Sequence, residues 1–244
     1  MTFGGTVANI NLAIATITWT SAANDDADAT ITVVTTDDDG DSDTDSMTIT
    51  VNSVNDAPTT TGGAATVAED ATHTFTTTAS DWGYVDVDSG DAMTSVDITS
   101  LPATGTLNYG GSAVEAGDDI ALANLGGLTY VPVANANGAV TFTFKVYDGE
   151  ALSASAGTFT LTYTAVNDAP VNTLGTPAAV NEDTANAITG NSIADVDDTS
   201  MTSVAITADR GTFSLAQTND LTFSAGDGTS DATMTFGGTV TNIN

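Results

Sequence analysis

The chain repeats itself, and repetition on this scale narrows the architectures open to it before any local propensity is weighed. Residues 1–11, MTFGGTVANIN, recur as residues 234–244, MTFGGTVTNIN, with one change. VNDAP at 54–58 recurs at 166–170. Between these anchors, the run from Ile17-Thr18-Trp19 to Asp37 aligns at a constant offset with the run from Leu128-Thr129-Tyr130 to Asp148. Val67-Ala68-Glu69-Asp70 matches Val180-Asn181-Glu182-Asp183, and the DVD triplets at 86–88 and 195–197 are each followed by MTSV. Residues 59–170 therefore read as one complete repeat, residues 1–58 as the C-terminal half of another, and residues 171–244 as the N-terminal half of a third. Two arrangements account for the halves: an excerpt from a longer tandem array, or chains in which one copy's half repeat completes that of a neighbour.

Within the repeats the apolar residues alternate, as in Ile31/Val33, Met47/Ile49/Val51, Phe142/Phe144/Val146 and Phe159/Leu161/Tyr163, between Gly, Asn, Asp and Pro punctuation. Period two marks strands with one buried face. No stretch carries a sustained helical stripe. The 47 Thr and 23 Gly suit strands and turns better than helices. About seven short strands in roughly 110 residues predict an all-β fold of tandem immunoglobulin-like or cadherin-like antiparallel β-sandwiches.

Charge excludes several functions. Thirty-two Asp+Glu face only Lys145 and Arg210, a formal net charge of −30, where a small domain usually carries about 2–8 of either sign. Nucleic acid and anionic membranes are poor partners for such a surface. Absence of cysteine removes disulfides, thiolate metal sites and a cysteine nucleophile, and the single histidine, His73, removes multi-histidine zinc sites. No run approaches the roughly 18 apolar residues of a membrane span. The first twenty residues lack the basic start of a secretory signal, so an export address is expected elsewhere or already removed.

The ordered set VNDAP, Glu69-Asp70, DVD, LTYVP at 128–132, YDGE at 147–150 and GDGTSDATMTFGGTVTNIN at 226–244 resembles the cadherin-like and VCBS-type tandem repeats of very large bacterial surface adhesins. That resemblance implies β-sandwich modules strung end to end, Ca2+ at their junctions, and an extracellular, cell-surface location. The partners it implies are neighbouring copies of the repeat, in cis or in trans as a filament, and a cell-surface or matrix target. No glycine-rich nonapeptide calcium repeat is present, which places the segment in a stalk.

The resemblance also assigns ligands. One junction would take Glu69 and Asp70 from the base of the complete repeat, Asn167 and Asp168 from the linker, and Asp195, Asp197 and Asp198 from the following repeat. The other would take Asn55, Asp56, Asp86, Asp88 and Asp148, with Glu182 and Asp183 repeating the base pair one module on. Carboxylates are hard oxygen donors of the kind calcium accepts six to eight at a time, at about 2.3–2.6 Å. Separately, Asp37, Asp39, Asp41, Asp43 and Asp45 fall at alternate positions of DDDGDSDTD, where a turn at Gly40 can curl several around an ion. The run is not an EF-hand, because Ser46 stands where a bidentate Glu is needed. Its plain reading is a solvated acidic hairpin.

Other residues point to packing. His73 lies in a strand pattern, Trp19 and Tyr130 occupy equivalent positions that suit the core, Trp82 suits a loop anchor, and Gly4-Gly5 and Gly237-Gly238 suit a bulge or turn. Paired carboxylates arise by chance among 32 acids, and no nucleophile–base set is present, so no enzyme is expected. No Thr-x-Thr ladder shared by successive repeats is evident, which disfavours a sugar- or ice-binding face. The leading expectation is a calcium-stiffened repeat of a bacterial adhesin stalk or biofilm fibre. Its alternative is a filament protomer joined head to tail by strand complementation.

Overall fold

A computed structural model describes residues 1–244. The chain divides into two compact units, Met1–Tyr163 and Thr164–Asn244. Antiparallel strands dominate both, as the alternating pattern predicts.

In the first unit residues 59–164 build a two-layer sandwich. One layer has the strand order Asp119–Ala121, Ser95–Ser100, Gly138–Tyr147, Gly157–Thr164, Gly63–Ala68. The other has the order His73–Thr74, Leu128–Val131, Thr106–Tyr109, Ser112–Ala113. Successive side chains of a strand face opposite ways, so Phe142, Phe144 and Val146 enter the core with Phe159, Leu161 and Tyr163, all of them buried. Register places Phe142 directly opposite Phe159, and their rings stack with centroids 5.5 Å apart. Phe75, from the other layer, meets both edge-on at 5.7 and 5.0 Å.

Trp82 closes this cluster. It ends the 3-10 turn Ala79–Trp82, lies fully buried with its ring 5.0 Å from that of Phe144, and donates its indole N–H to the Thr76 carbonyl at 3.2 Å. The loop-anchor reading of Trp82 therefore holds. Gly63 is where the loop and strand meet most closely: a Cβ there would run into the Asp81 carbonyl and the Phe159 ring. Half-buried His73 sets its ring edge-on to Phe75 at 4.7 Å, a packing role.

The opposite faces of the same strands carry hydroxyls. Thr141 faces Thr160 and Thr143 faces Thr158 across one pair, and Thr30 faces Thr48 and Thr32 faces Ser46 across the hairpin described next. Hydroxyls thus meet across neighbouring strands in both places, with Ser46 breaking the threonine series in the hairpin. The rungs run between strands, so register creates them.

Ahead of the sandwich, Ala29–Thr36 pairs with Ser42–Ile49 through the turn at 37–41, with Ile31 opposite Met47. Residues Val7–Ile14 form a helix, where composition favours strands and turns. Its cause is local: the Thr6 hydroxyl accepts from the Asn9 N–H at 3.3 Å, an N-cap that satisfies a helix-start donor. No residue of it is buried. Gly4-Gly5 precede this helix outside any strand. Trp19 is exposed whereas Tyr130 is buried, so the shared core role is corrected for Trp19 and kept for Tyr130. Tyr130 lies among the buried side chains of the sandwich, and Trp19 lies outside that core.

In the second unit Ser200–Thr207, Thr233–Thr239 and Thr222–Ala225 form one sheet in that order, and Val171–Thr173 pairs with Ser192–Ala194. Met234 and Phe236 on the central strand are buried, and Phe236 contacts Phe223 with centroids 5.5 Å apart. Gly237-Gly238 face a register irregularity between Met201 and Val204, as a bulge reading requires. The strand runs into the short helix Val240–Ile243, capped by the Thr239 hydroxyl on the Asn242 N–H at 3.3 Å.

Two outcomes follow from this packing. Phe142→Ala should cost about 3–5 kcal/mol of sandwich stability in urea unfolding, against under about 0.5 kcal/mol for the outward Thr160→Ala. Burial pushes the Tyr163 phenol up to about 12, with Tyr130 beside it adding to the shift. The folded state thus keeps that proton to higher pH than the unfolded chain, whose tyrosines ionise near 10. Its contribution to stability is full below pH 10 and is lost as pH climbs through 12, and ultraviolet titration should show a late-ionising component that urea abolishes.

Candidate metal centre

The densest group of carboxylates follows the short strand Tyr84–Val85. The chain leaves the sheet through Asp86-Val87-Asp88 and turns back at Ser89-Gly90, where Gly90 has φ +104° and the Asp91 N–H donates to the Asp88 carbonyl at 3.3 Å. That turn gathers Asp86, Asp88 and Asp91, each with a carboxylate oxygen within 4.8 Å of the others. The Asp88 N–H donates to Asp86 Oδ1 at 3.0 Å and the Tyr84 hydroxyl to Asp86 Oδ2 at 2.9 Å.

The linker closes on the same group. The Asp56 N–H donates to Asp88 Oδ2 at 2.6 Å, and Asn55 Nδ2 donates to Asp148 Oδ2 at 3.3 Å. Asp148 is held by its own turn, its Oδ1 accepting from the N–H groups of Glu150 and Ala151 at 2.6 and 2.7 Å. The structure therefore brings together all five residues assigned to this junction, Asn55, Asp56, Asp86, Asp88 and Asp148, though they span almost a hundred positions. Beside them lies a cleft of about 470 Å³ lined by Asp25, Asp26, Asn52, Asp56 and Asp88 among others.

Electrostatics records the crowding. The Asp91 carboxyl is raised by partial desolvation and then by the charges of Asp86, Asp88 and Asp148. Desolvation would raise Asp148 too, but the backbone N–H groups of Ala151 and Glu150 and the Asn55 amide outweigh it and hold the carboxyl below its usual value. Tyr84 is pushed upward by burial and by its bond to Asp86. The donors fit a hard cation. Two oxygens on one calcium-sized ion can lie at most about 4.6–5.2 Å apart, and these carboxylates satisfy that limit.

The second linker repeats the tether between linker and triplet. The Asp168 N–H donates to Asp197 Oδ2 at 2.5 Å, Asp197 and Asp198 both donate N–H to Asp195 Oδ1 at 2.9 Å, and Asn167 Nδ2 reaches the Asp168 carbonyl at 2.8 Å. These five lie on the second unit, whereas Glu69 and Asp70, assigned to the same junction, lie on the first. Glu69 is buried, and Asp70 adopts a left-handed φ of +63° with its Oδ1 accepting from the Asn135 N–H at 2.7 Å. Glu182 and Asp183 repeat that turn, Asp183 at φ +59°, in an exposed setting.

Asp37, Asp39 and Asp41 form the exposed turn of the 29–49 hairpin. Asp37 Oδ1 accepts from the N–H groups of Asp39 and Asp41 at 3.1 and 2.9 Å, so Asp37 shapes the turn as Asp148 shapes its counterpart. The residue that sequence reasoning missed is Asp91. Its signal is the run DVDSGD, in which Ser-Gly reverses the chain and returns a third carboxylate to the first two.

With this geometry in view, the comparison with protein families is direct: the family model described as a cadherin-like domain matches residues 54–164. Residues 54–164, a little under half of the chain, are thus similar to a cadherin-like domain. The match opens on the linker VNDAP and ends with the last core strand, so it spans the first acidic centre and the sandwich beneath it.

No curated protein matches the chain. Among solved structures it is similar to an endo-fucoidan hydrolase of glycoside hydrolase family 107, MfFcnA4, at 15% identity, 88% coverage of this chain, 30% of that one and a TM-score of 0.28. It is likewise similar to a single-residue variant of that enzyme at 16% identity, the same coverages and a TM-score of 0.27. The chain thus spans under a third of those proteins. These matches correct the expectation that no enzyme is involved: the proteins matched are hydrolases, and the exclusion does not stand. Likeness at this TM-score carries no argument for fold or activity.

The cadherin-like domain generates its own test. Asp148→Ala removes two turn hydrogen bonds and should destabilise the domain by about 1–2 kcal/mol, less than two buried charged bonds would cost because the site is open to water. Urea unfolding measures it, with Asp148→Asn expected to recover part of the loss.

Proposed function

We propose that this chain is a calcium-stiffened extracellular repeat from the stalk or fibre of a bacterial surface adhesin or biofilm-matrix protein. One observation carries the reading: both VNDAP linkers bond their Asp N–H to the second carboxylate of the following DVD triplet. The same tether at two successive linkers supports a device that belongs to the repeat unit and fixes how each linker leaves its module.

Asp86, Asp88 and Asp91 would hold the ion, with Asn55, Asp56 and Asp148 adjoining. Bound calcium supplies positive charge that turns mutual repulsion among carboxylates into cohesion. What the chain supplies is preorganisation. The Tyr84 hydroxyl aims Asp86, the Asp56 N–H aims Asp88, and the turn N–H groups at 150 and 151 aim Asp148. Freed of that repulsion, the linker loses conformational freedom, and a string of modules resists folding back. Extracellular modules bind calcium with dissociation constants of about 10⁻⁴–10⁻³ M, a range that external fluids keep filled and a cell interior does not. A surface of charge −30 also stays soluble and keeps parallel fibres apart.

Calorimetric titration should detect site-bound calcium in that range. For a 10⁻⁴ M site, calcium at a hundredfold excess over the dissociation constant should stabilise the domain by about 2.7 kcal/mol. Asp88→Asn combined with Asp91→Asn should abolish that gain without unfolding the domain. Chelation should open the linkers at 54–58 and 166–170 to proteolysis. Absence of saturable calcium uptake, or equal protease resistance in chelator, sinks the reading.

A further inference from the structure

Of all the asparagines in the chain, only Asn137 is followed by glycine. The pair sits where the loop 132–137 meets the core strand Gly138–Tyr147. Residues 133–139 are exposed throughout. The Asn137 side-chain amide takes part in no hydrogen bond, whereas the amides of Asn55, Asn167, Asn186 and Asn191 each donate to a backbone carbonyl. Gly138 has φ +110°, and a Cβ built there would meet nothing within 4 Å, so the space beside its backbone is open. Without a side chain of its own, Gly138 leaves the peptide nitrogen free to approach the preceding residue.

An asparagine in that setting stands as an electrophile beside its neighbour's nucleophile. Hydroxide takes the proton of the Gly138 N–H, the nitrogen attacks Asn137 Cγ, and the Cγ–Nδ2 bond breaks. Ammonia leaves with a proton from water, which restores the hydroxide. The product is a cyclic imide, and water then adds to either of its carbonyls. Opening at Cγ gives aspartate. Opening at the main-chain carbonyl gives isoaspartate, in which the chain runs through Cγ and is longer by a methylene. Nothing beyond water is consumed, and no group is oxidised or reduced. Glycine also follows Asp39, Asp148 and Asp227, but an ionised carboxylate is a poorer electrophile than an amide. Asp148 and Asp227 are further tied through Oδ1, which accepts from the N–H groups of Glu150 and Ala151 in one turn and of Thr229 in the other.

We propose that Asn137 is a site of spontaneous deamidation, and that its isoaspartyl product releases the loop from Asp70. The tether at stake is short. The Asn135 N–H donates to Asp70 Oδ1 at 2.7 Å, with Asp70 held at a left-handed φ of +63°. On the other side of Asn137, Gly138 is fixed opposite Tyr163. An extra methylene between these fixed points lengthens the span by more than the roughly 0.5 Å over which an N–H···O bond holds its strength. Plain aspartate keeps the span and adds only charge. The exposed loop thus records the age of the chain, tethered when new and released once converted. The reaction needs no metal ion, so it goes beyond the calcium reading and stands or falls apart from it.

Ageing the full chain in warm, mildly alkaline buffer, followed by chymotryptic digestion and mass spectrometry, tests it. The peptide 131–142 should gain the mass of an amide-to-acid exchange and accept methyl groups from an isoaspartyl O-methyltransferase, ahead of every other peptide. Its conversion should be first order in hydroxide. Asn137→Gln, whose ring is larger and closes far more slowly, should lose the methyl-accepting product. Hydrogen exchange at the Asn135 amide, which reports local opening, should quicken in the converted chain and stay unchanged in Asn137→Asp, which carries the charge without the methylene. Conversion of 131–142 only after unfolding in urea, methylation that arises first at 39, 148 or 227, or an Asn135 amide that exchanges equally in fresh and converted chains would each overturn the proposal.

Discussion

The contact between Phe142 and Phe159, stacked in register on neighbouring strands and covered edge-on by Phe75, is the interaction on which the rest of the molecule depends. It joins the two layers, and it joins the two halves of the repeat, since Phe75 precedes the hairpin by a long stretch of sequence. Trp82 seals it from the side through a turn that also delivers Tyr84 and the acidic triplet to the end of the sandwich. Apolar burial drives the collapse. Position of the charged groups is its consequence.

Those charged groups would be a liability without that frame. Thirty-two acids and two bases cannot neutralise one another by pairing, and like charges gathered in one place resist compaction. The sandwich gathers several of these acids in one place, where backbone N–H groups and an asparagine amide brace individual carboxylates. The strands themselves present mainly threonine to water. A hydroxyl satisfies hydration without adding charge, and a β-branched side chain suits the pleat. The distribution of charge follows from the sandwich as much as from composition.

Much of this was legible beforehand. Alternation identified the core rows from Phe142 to Tyr163, and the resemblance to cadherin-like repeats assigned Asn55, Asp56, Asp86, Asp88 and Asp148 to one group. Asp91 escaped because its place depends on a turn whose curvature only the backbone shows. The hydroxyl rungs escaped because they need the register of two strands, which neither strand carries alone. Trp19 was read as core by analogy with Tyr130, but burial belongs to a neighbourhood, which position within a motif does not fix.

The eleven residues that occur twice separate the two kinds of information. In both copies a threonine hydroxyl caps the N–H three positions on and starts a helix at the following valine, because every atom involved lies within one turn of chain. That outcome is written locally and needs no partner. The preceding MTFGGT is different. At 234–239 it is a central strand with Met234 and Phe236 buried, and at 1–6 it is irregular with Met1 and Phe3 exposed. A strand needs neighbours to take its hydrogen bonds and cover its apolar side, and those neighbours come from distant sequence. The residues decided which face would be apolar. The tertiary structure alone decided whether anything lay against it.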